Sequence, residues 1–222
     1  MGKHITLKAS DGFELDAWLA EPEGAPKGGI VVIQEIFGVN QHIREVADGF
    51  AADGYLAIAP AVFDRAERGV ELGYDEQGIQ TGAGIARGKL DIAKTMLDVQ
   101  AAIDEAAKAG KVGVVGYCFG GLLTWLSSGR ASGLACAVGY YGGGIAGSLD
   151  VAPQVPTMLH FGDKDAHIPL SDVDKIKAAY PDVTVHVYEA DHGFNCDHRG
   201  SYDEKAATTA RQRTLEFFAA NL

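Results

Sequence analysis

The chain has 222 residues, 47% of them hydrophobic and 22% charged, and 19 basic against 30 acidic residues give a net charge of −11. This is ordinary globular composition, long enough to bury a sizeable core, and the acidic balance argues against a nucleic-acid partner, which needs a basic face. No apolar run approaches the ~18–20 residues of a membrane span. The segment MGKHITLKASDG lacks a signal peptide's apolar centre, and Cys118, Cys136 and Cys196 are too few and too odd in number for a disulfide framework. A soluble, cytoplasmic, reduced protein with no obligate protein partner is expected.

The first residues, ITLKASDGFELDAWLAEP, read as two strands joined at Asp11-Gly12, a strong hairpin signal. GGIVVIQEI supplies a continuous apolar strand. In NQHIREVADGFAADG, Ile43, Val46, Ala47 and Phe50 recur at helical spacing, with Asn40 placed to cap the start and Gly54 to end it. YLAIAPAVF is another strand, stopped near Pro60. Residues 61–83 carry many glycines and charges with little periodicity and read as a long surface excursion, of the kind that often forms a lid or binding loop. From about Leu90, the residues Ile92, Met96, Val99 and Ile103 mark a long helix ending near Gly110. The sequence then gives a strand in KVGVVGYC, a helix in FGGLLTWLSS, a strand and loop in LACAVGYYGGG and a strand in PTMLHFGDKD. A short helix over roughly 171–180 and a last strand in VTVHVYEA follow, and the final helix opens with the capping-box pattern Ser201-Tyr-Asp-Glu204. Apolar strands alternating with helices predict a mostly parallel α/β sheet covered on both faces. With no proline-rich linker or repeat, residues 1–222 read as one domain, with its site at the carboxyl ends of the strands.

The run Gly116-Tyr-Cys-Phe-Gly120 falls between a strand and a helix. Cysteine is often just a small buried hydrophobe. Here, however, G-x-C-x-G matches a nucleophile elbow with cysteine in place of serine. An elbow holds its central residue in a sparsely populated backbone conformation, at a cost of ~1–3 kcal/mol, and the small flanking residues Gly116, Gly120 and Gly121 relieve the crowding. The sulfur would sit at a helix N-terminus, where partial positive charge favours thiolate.

An elbow of this type needs an acid and then a histidine later in the chain. Asp163-Lys-Asp165 follows one strand and Asp191-His192-Gly193 follows the next, each at a carboxyl end and in the required order. Asp165 is preferred to Asp163 because it sits just before the turn closed by Ile168-Pro169. Among the other histidines, His160 falls inside a strand and reads as a core residue. His167 belongs to the acid loop, and His4, His42, His186 and His198 show no partner pattern.

Gln34-Glu35-Ile36-Phe37-Gly38 ends the first central strand. The oxyanion hole should use one amide from this loop and one from the residue after the nucleophile, nominating the backbone N–H groups of Ile36 and Phe119. Glu35 follows an apolar strand, where burial without a partner is unfavourable. It either pairs with Arg44 or a buried hydroxyl as a structural group, or faces the site and accepts the thiol's proton.

Taken together, QEIFGVN, GYCFGG, GDKDAHIP and DHGFN resemble the dienelactone hydrolase family over nearly the whole chain. The resemblance implies an α/β-hydrolase fold that hydrolyses an enol-lactone to a keto-acid without metal or cofactor. It makes Cys118 the nucleophile, His192 the base and acid, and Asp165 its orienter. Glu35 would hold the thiol at rest and take its proton when the sulfur swings toward His192. The resemblance also implies arginines that grip a substrate carboxylate, one of them four residues after the histidine. Cys196 stands there in this chain; Arg199 is the nearest arginine, and Arg87 is the candidate for a second. The expected partner is therefore a small, possibly anionic ester or lactone. A thiol redox protein using Cys118, or a non-catalytic binding protein on the same fold, are the rival readings.

Overall fold

The computed structural model describes residues 2–222. One eight-stranded sheet runs in the order β1-β2-β4-β3-β5-β6-β7-β8. β1 (Lys3–Lys8) and β2 (Glu14–Ala20) form an antiparallel hairpin turning at Gly12, and β2 pairs antiparallel with β4 (Leu56–Pro60). The other pairs are parallel, through β3 (Gly29–Ile33), β5 (Val112–Tyr117), β6 (Leu134–Tyr140), β7 (Thr157–Gly162) and β8 (Thr184–Tyr188). Every residue of β3, β5 and β7 is buried, as expected for parallel strands covered on both faces.

Among the described residues, six α-helices cover the sheet. They are α1 (Gln41–Ala52), α2 (Glu76–Gly88), α3 (Ile92–Ala106), α4 (Phe119–Arg130), α5 (Leu170–Ala179) and α6 (Glu204–Asn221). Short polar side chains start most of them. Asn40 accepts from the Ile43 amide, Asp75 from Gly78, Asp91 from Ala93 and Lys94, and Asp203 from Ala206. Helix α6 is thus capped by Asp203 rather than through Ser201, because the aspartate is the carboxylate that reaches the free amides. Gly54, at φ 97°, follows the end of α1 as expected.

Residues 61–83 are not a structureless excursion. A 3-10 turn covers Val62–Arg65, and α2 begins at Glu76. The segment between them is stitched to the loop after β3. Gly38 bridges Glu71, the Leu72 amide donates to Phe37 O at 2.9 Å, and Asn40 Nδ2 donates to Leu72 O at 3.2 Å. Helix α2 contains Gly78, Gly82, Gly84 and Gly88, each weakening it by about 1 kcal/mol relative to alanine, which is why its sequence lacks a helical signature. Gly82 is required by close packing: a Cβ there would overlap the Ile36 carbonyl.

The site follows from connectivity. The chain leaves β3 for β4 on one side and returns to β5 on the other, so the strand order reverses at β3. The crevice outside the carboxyl ends of β3 and β5 is the switch point where open α/β sheets bind ligands.

Candidate active site

Cys118 joins β5 to α4 with φ 54° and ψ −112°, a conformation that side chains seldom adopt and that elbows retain for function. Its amide donates to Tyr140 O at 3.0 Å. The neighbouring glycines permit the bend. A Cβ at Gly121 would lie 2.7 Å from Tyr140 O, and one at Gly120 would lie 2.8 Å from the Ile33 carbonyl carbon. The start of α4 therefore packs directly on the end of β3.

His192 and Asp165 come from the loops after β8 and β7. Cys118 Sγ lies 3.1 Å from His192 Nε2, and His192 Nδ1 lies 2.7 Å from Asp165 Oδ2. Asp165 is fixed in turn by its other oxygen, which accepts from the amides of His167 at 2.8 Å and Ile168 at 3.2 Å. Asp163 is exposed. Burial of the His192 ring disfavours its charged form, but hydrogen bonds and charge from Asp165 and Cys118 outweigh burial and push it up to about 10. An imidazole held this way keeps a positive charge beside the sulfur. Burial pushes the Cys136 and Cys196 thiols up to about 12, which disfavours a thiolate at either.

The loop after β3 supplies the rest. Phe119 is the first residue of α4, so its N–H has no intrahelical acceptor. The loop carrying Ile36 is packed against Gly120 at Ile33 and Gln34 and against Gly82 at Ile36 itself. Glu35 is fully buried, and its Oε1 accepts from Arg199 Nη1 at 3.2 Å. Arg44 is not its partner: that guanidinium pairs with Glu71 at 2.7 Å and donates to Val39 O at 2.7 Å. Arg199 passes over Gly193, where a Cβ would come within 2.8 Å of Cζ, and lies 5.6 Å from the Phe37 ring and 5.8 Å from the Tyr74 ring. Arg87 is exposed in the last turn of α2 and makes no ion pair among the described residues.

Tyr141 is a wall of the site that the sequence reading missed. It takes φ 36°, its ring centroid lies 5.1 Å from that of His192, and its hydroxyl is buried without a partner among the described residues. The signal was the Tyr-Tyr-Gly-Gly-Gly run at a strand's carboxyl end. His160 is a core residue as expected, bonded to Tyr188 Oη at 2.8 Å and to Thr214 Oγ1 at 3.2 Å. His4, His42 and His198 do have carboxylate partners, in Asp16, Asp197 and Glu45.

The reversed strand order, the elbow on β5 and the loops after β7 and β8 define an α/β hydrolase. Residues 15–222 match the dienelactone hydrolase family model, and the chain belongs to that family. It is 34% identical to a carboxymethylenebutenolidase of Pseudomonas putida, over 97% of this chain and 95% of that protein. It is 35% identical to a Synechocystis protein assigned to the same enzymes, over 95% of this chain and 93% of the relative. A solved structure from Klebsiella pneumoniae, assigned to the dienelactone hydrolases, superposes with a TM-score of 0.84 at 31% identity and covers 99% of both chains. The chain is therefore a carboxylic ester hydrolase of lactone or ester type, acting on a small molecule. No helix among the described residues is long and apolar enough to cross a membrane.

Proposed function

We propose that the chain hydrolyses an activated ester or lactone, dienelactone-like in chemistry, through Cys118 and a thioester acyl-enzyme. The observation that carries this reading is the unbroken line from Cys118 Sγ to His192 Nε2 at 3.1 Å and from His192 Nδ1 to Asp165 Oδ2 at 2.7 Å.

The thiolate attacks the carbonyl carbon and forms the C–S bond. The Ile36 and Phe119 amides receive the oxyanion, which is where fixed donors contribute most. The C–O bond then breaks, and the leaving enolate takes the proton from His192. Water, deprotonated by His192, attacks the thioester, and the C–S electron pair returns to sulfur. An enolate or phenolate leaves far more readily than an alkoxide or an amine, so enol-lactones and aryl esters are the substrates expected and amides are not. The scheme draws only on protein groups and water.

Glu35 bonded to Arg199 while Cys118 faces His192 fits the substrate-ready arrangement, with the carboxylate having released the sulfur. Arg199, rather than the exposed Arg87, is the arginine we place at the substrate, favouring a carboxylated one. The reducing cytoplasm suits a thiol that must stay free. The redox reading is weaker, because burial pushes the Cys196 thiol up to about 12, away from the thiolate form that would resolve an oxidised Cys118. Wild-type and Cys118→Ala proteins should be compared on aryl esters and lactones, with and without a carboxylate. Loss of turnover across the panel is expected, and retained turnover would assign the reaction to another nucleophile.

A further inference from the structure

Outside the Cys118 site, four side chains from two segments converge on the surface. His42 and Glu45 lie one turn apart on α1, and Asp197 and His198 belong to the loop after β8. His42 Nδ1 is 3.1 Å from Asp197 Oδ1, and His198 Nε2 is 2.7 Å from Glu45 Oε2 and 3.9 Å from Asp197 Oδ1. One donor atom from each residue lies within 4.8 Å of the other three. A tetrahedral ion with bonds of about 2.0–2.1 Å holds its ligand atoms about 3.3 Å apart, and the observed spacings bracket that value. Two neutral imidazoles and two carboxylates balance a divalent charge. An N₂O₂ set without thiolate suits zinc and its neighbours, whereas magnesium and calcium take oxygen ligands. A surface cavity of about 250 Å³, lined in part by His42, Glu45 and Asp197, opens a path to the cluster.

Two ion pairs alone would explain the short distances, but they leave His42 unresolved. Its side chain is 4% exposed, and its Nε2 is buried without a partner among the described residues. Bonding to Asp197 alone puts the proton on Nδ1 and leaves Nε2 as a buried acceptor with no donor. A metal on Nδ1 reverses this and fixes the Nε2–H tautomer. Metal-bound histidines characteristically turn that N–H toward a carboxylate. Glu35 is a buried carboxylate whose charge reaches His42, and its Oε2 is itself unpartnered among the described residues. Neither atom has a partner among the described residues, and an N–H on the one is the chemical complement of a carboxylate oxygen on the other.

We propose that His42, Glu45, Asp197 and His198 form a four-ligand site for a zinc-class divalent ion, which ties α1 to the loop carrying Arg199 and steadies the Arg199–Glu35 pair. The ion takes no part in the hydrolytic step, so this proposal and the cysteine mechanism stand or fall separately.

Cobalt(II) is the probe, because its visible d–d bands report tetrahedral coordination and a thiolate ligand adds an intense near-ultraviolet band. Chelator-stripped, reduced protein is titrated with Co²⁺ and competed with Zn²⁺. The expected result is a one-to-one d–d signal without a thiolate band, unchanged in Cys118→Ala. Glu45→Gln and His198→Gln should weaken it at least ~10-fold, since even partners beyond the ligands cost that much. Zn²⁺ at 100 times its Kd should raise Tm by roughly 5–10 °C in the wild type and not in His198→Gln. His198 and Glu45 are 32% and 48% exposed, and the metal-free Tm of each variant verifies folding. Absence of the d–d signal, equal affinity in the ligand variants, or a thiolate band abolished by Cys118→Ala would each overturn the proposal. The last would place the ion on Cys118 instead.

Discussion

Two of the four glycines of helix α2, Gly82 and Gly84, stand in opposite surroundings, and they form a matched test of whether this helix positions the loop of Ile36, the proposed oxyanion donor. A Cβ at Gly82 would overlap the Ile36 carbonyl oxygen, 2.9 Å from its carbon and 3.2 Å from the Ile36 Cβ, whereas a Cβ at Gly84 meets nothing within 4 Å. Helix propensity favours alanine at both positions by about 1 kcal/mol. At Gly84 that gain stands alone, so Gly84→Ala should raise Tm by roughly 2–4 °C and leave kcat unchanged. At Gly82 the methyl must reach an ordinary C···O separation of about 3.3 Å, which displaces Ile36 or α2 on the order of 1 Å. Overpacking costs about 1–3 kcal/mol and cancels or exceeds the propensity gain. A 1 Å error at a reacting group can cost ~10²-fold in rate, close to the ~10²–10³ lost with a whole oxyanion donor. Gly82→Ala should therefore lower kcat by about 10- to 100-fold on an aryl ester, with Tm level or reduced. Steady-state kinetics and calorimetry on the two variants measure both effects. Full kcat in Gly82→Ala, with a Tm gain equal to that of Gly84→Ala, would refute the idea that α2 braces this loop.

The remaining expectations concern the two buried charge systems. The folded state raises His192 to about 10, above the ordinary value of about 6.5. Its stabilisation is therefore complete below about pH 6.5 and is lost as the pH climbs toward 10. Asp165→Asn removes part of it and should show a Tm deficit that is largest near pH 6 and narrows toward pH 10, with kcat reduced ~10²–10⁴-fold; a deficit independent of pH would contradict the linkage. Arg199→Ala leaves Glu35, 1% exposed, without its partner. A stranded buried charge costs ~3–5 kcal/mol, or roughly 6–20 °C in a domain of this size. Adding Glu35→Gln, which removes the stranded charge, should restore most of that loss. Equal losses in the single and double variants would assign the effect to the guanidinium's packing on Phe37 and Tyr74.

What the sequence made legible follows from how local each cause is. The parallel strands could be read because burial on both faces demands unbroken apolar runs such as GIVVI and VGVVGY. The elbow could be read because a bend at Cys118 needs small neighbours within a few residues. Asp165 and His192 could be read because strand ends fix where loops emerge. Helix α2 was hidden because its glycines answer to distant groups, Gly82 to the Ile36 carbonyl and Gly78 to that of Gly73. The same holds for Glu35: its partner lies 164 residues away, while Arg44, only a helix start away in the sequence, is drawn outward to Glu71. Ser201 matched a capping pattern, yet Asp203, two residues on, reaches the free amides.

With Arg199 placed at the substrate as proposed, the Glu35–Arg199 pair would limit how strongly the enzyme prefers an anionic substrate. A free guanidinium presents five donors and a full positive charge. Here one donor is spent on Glu35 at 3.2 Å, the planar group lies beside the Phe37 and Tyr74 rings, and the pair together is neutral. A substrate carboxylate could still be met by the remaining donors, but it would approach a dipole rather than a bare cation, and it would feel the repulsion of the buried glutamate behind. Wild-type preference for a carboxylated ester over its neutral analogue should then be modest, about tenfold in kcat/KM, equivalent to about 1.4 kcal/mol. Glu35→Gln keeps the shape and removes the competing charge, so the ratio of anionic to neutral turnover should rise severalfold even as overall kcat falls. Arg199→Ala should bring the ratio toward unity through KM. If Glu35→Gln lowers the ratio instead, the carboxylate is orienting Arg199 toward the substrate rather than competing for it.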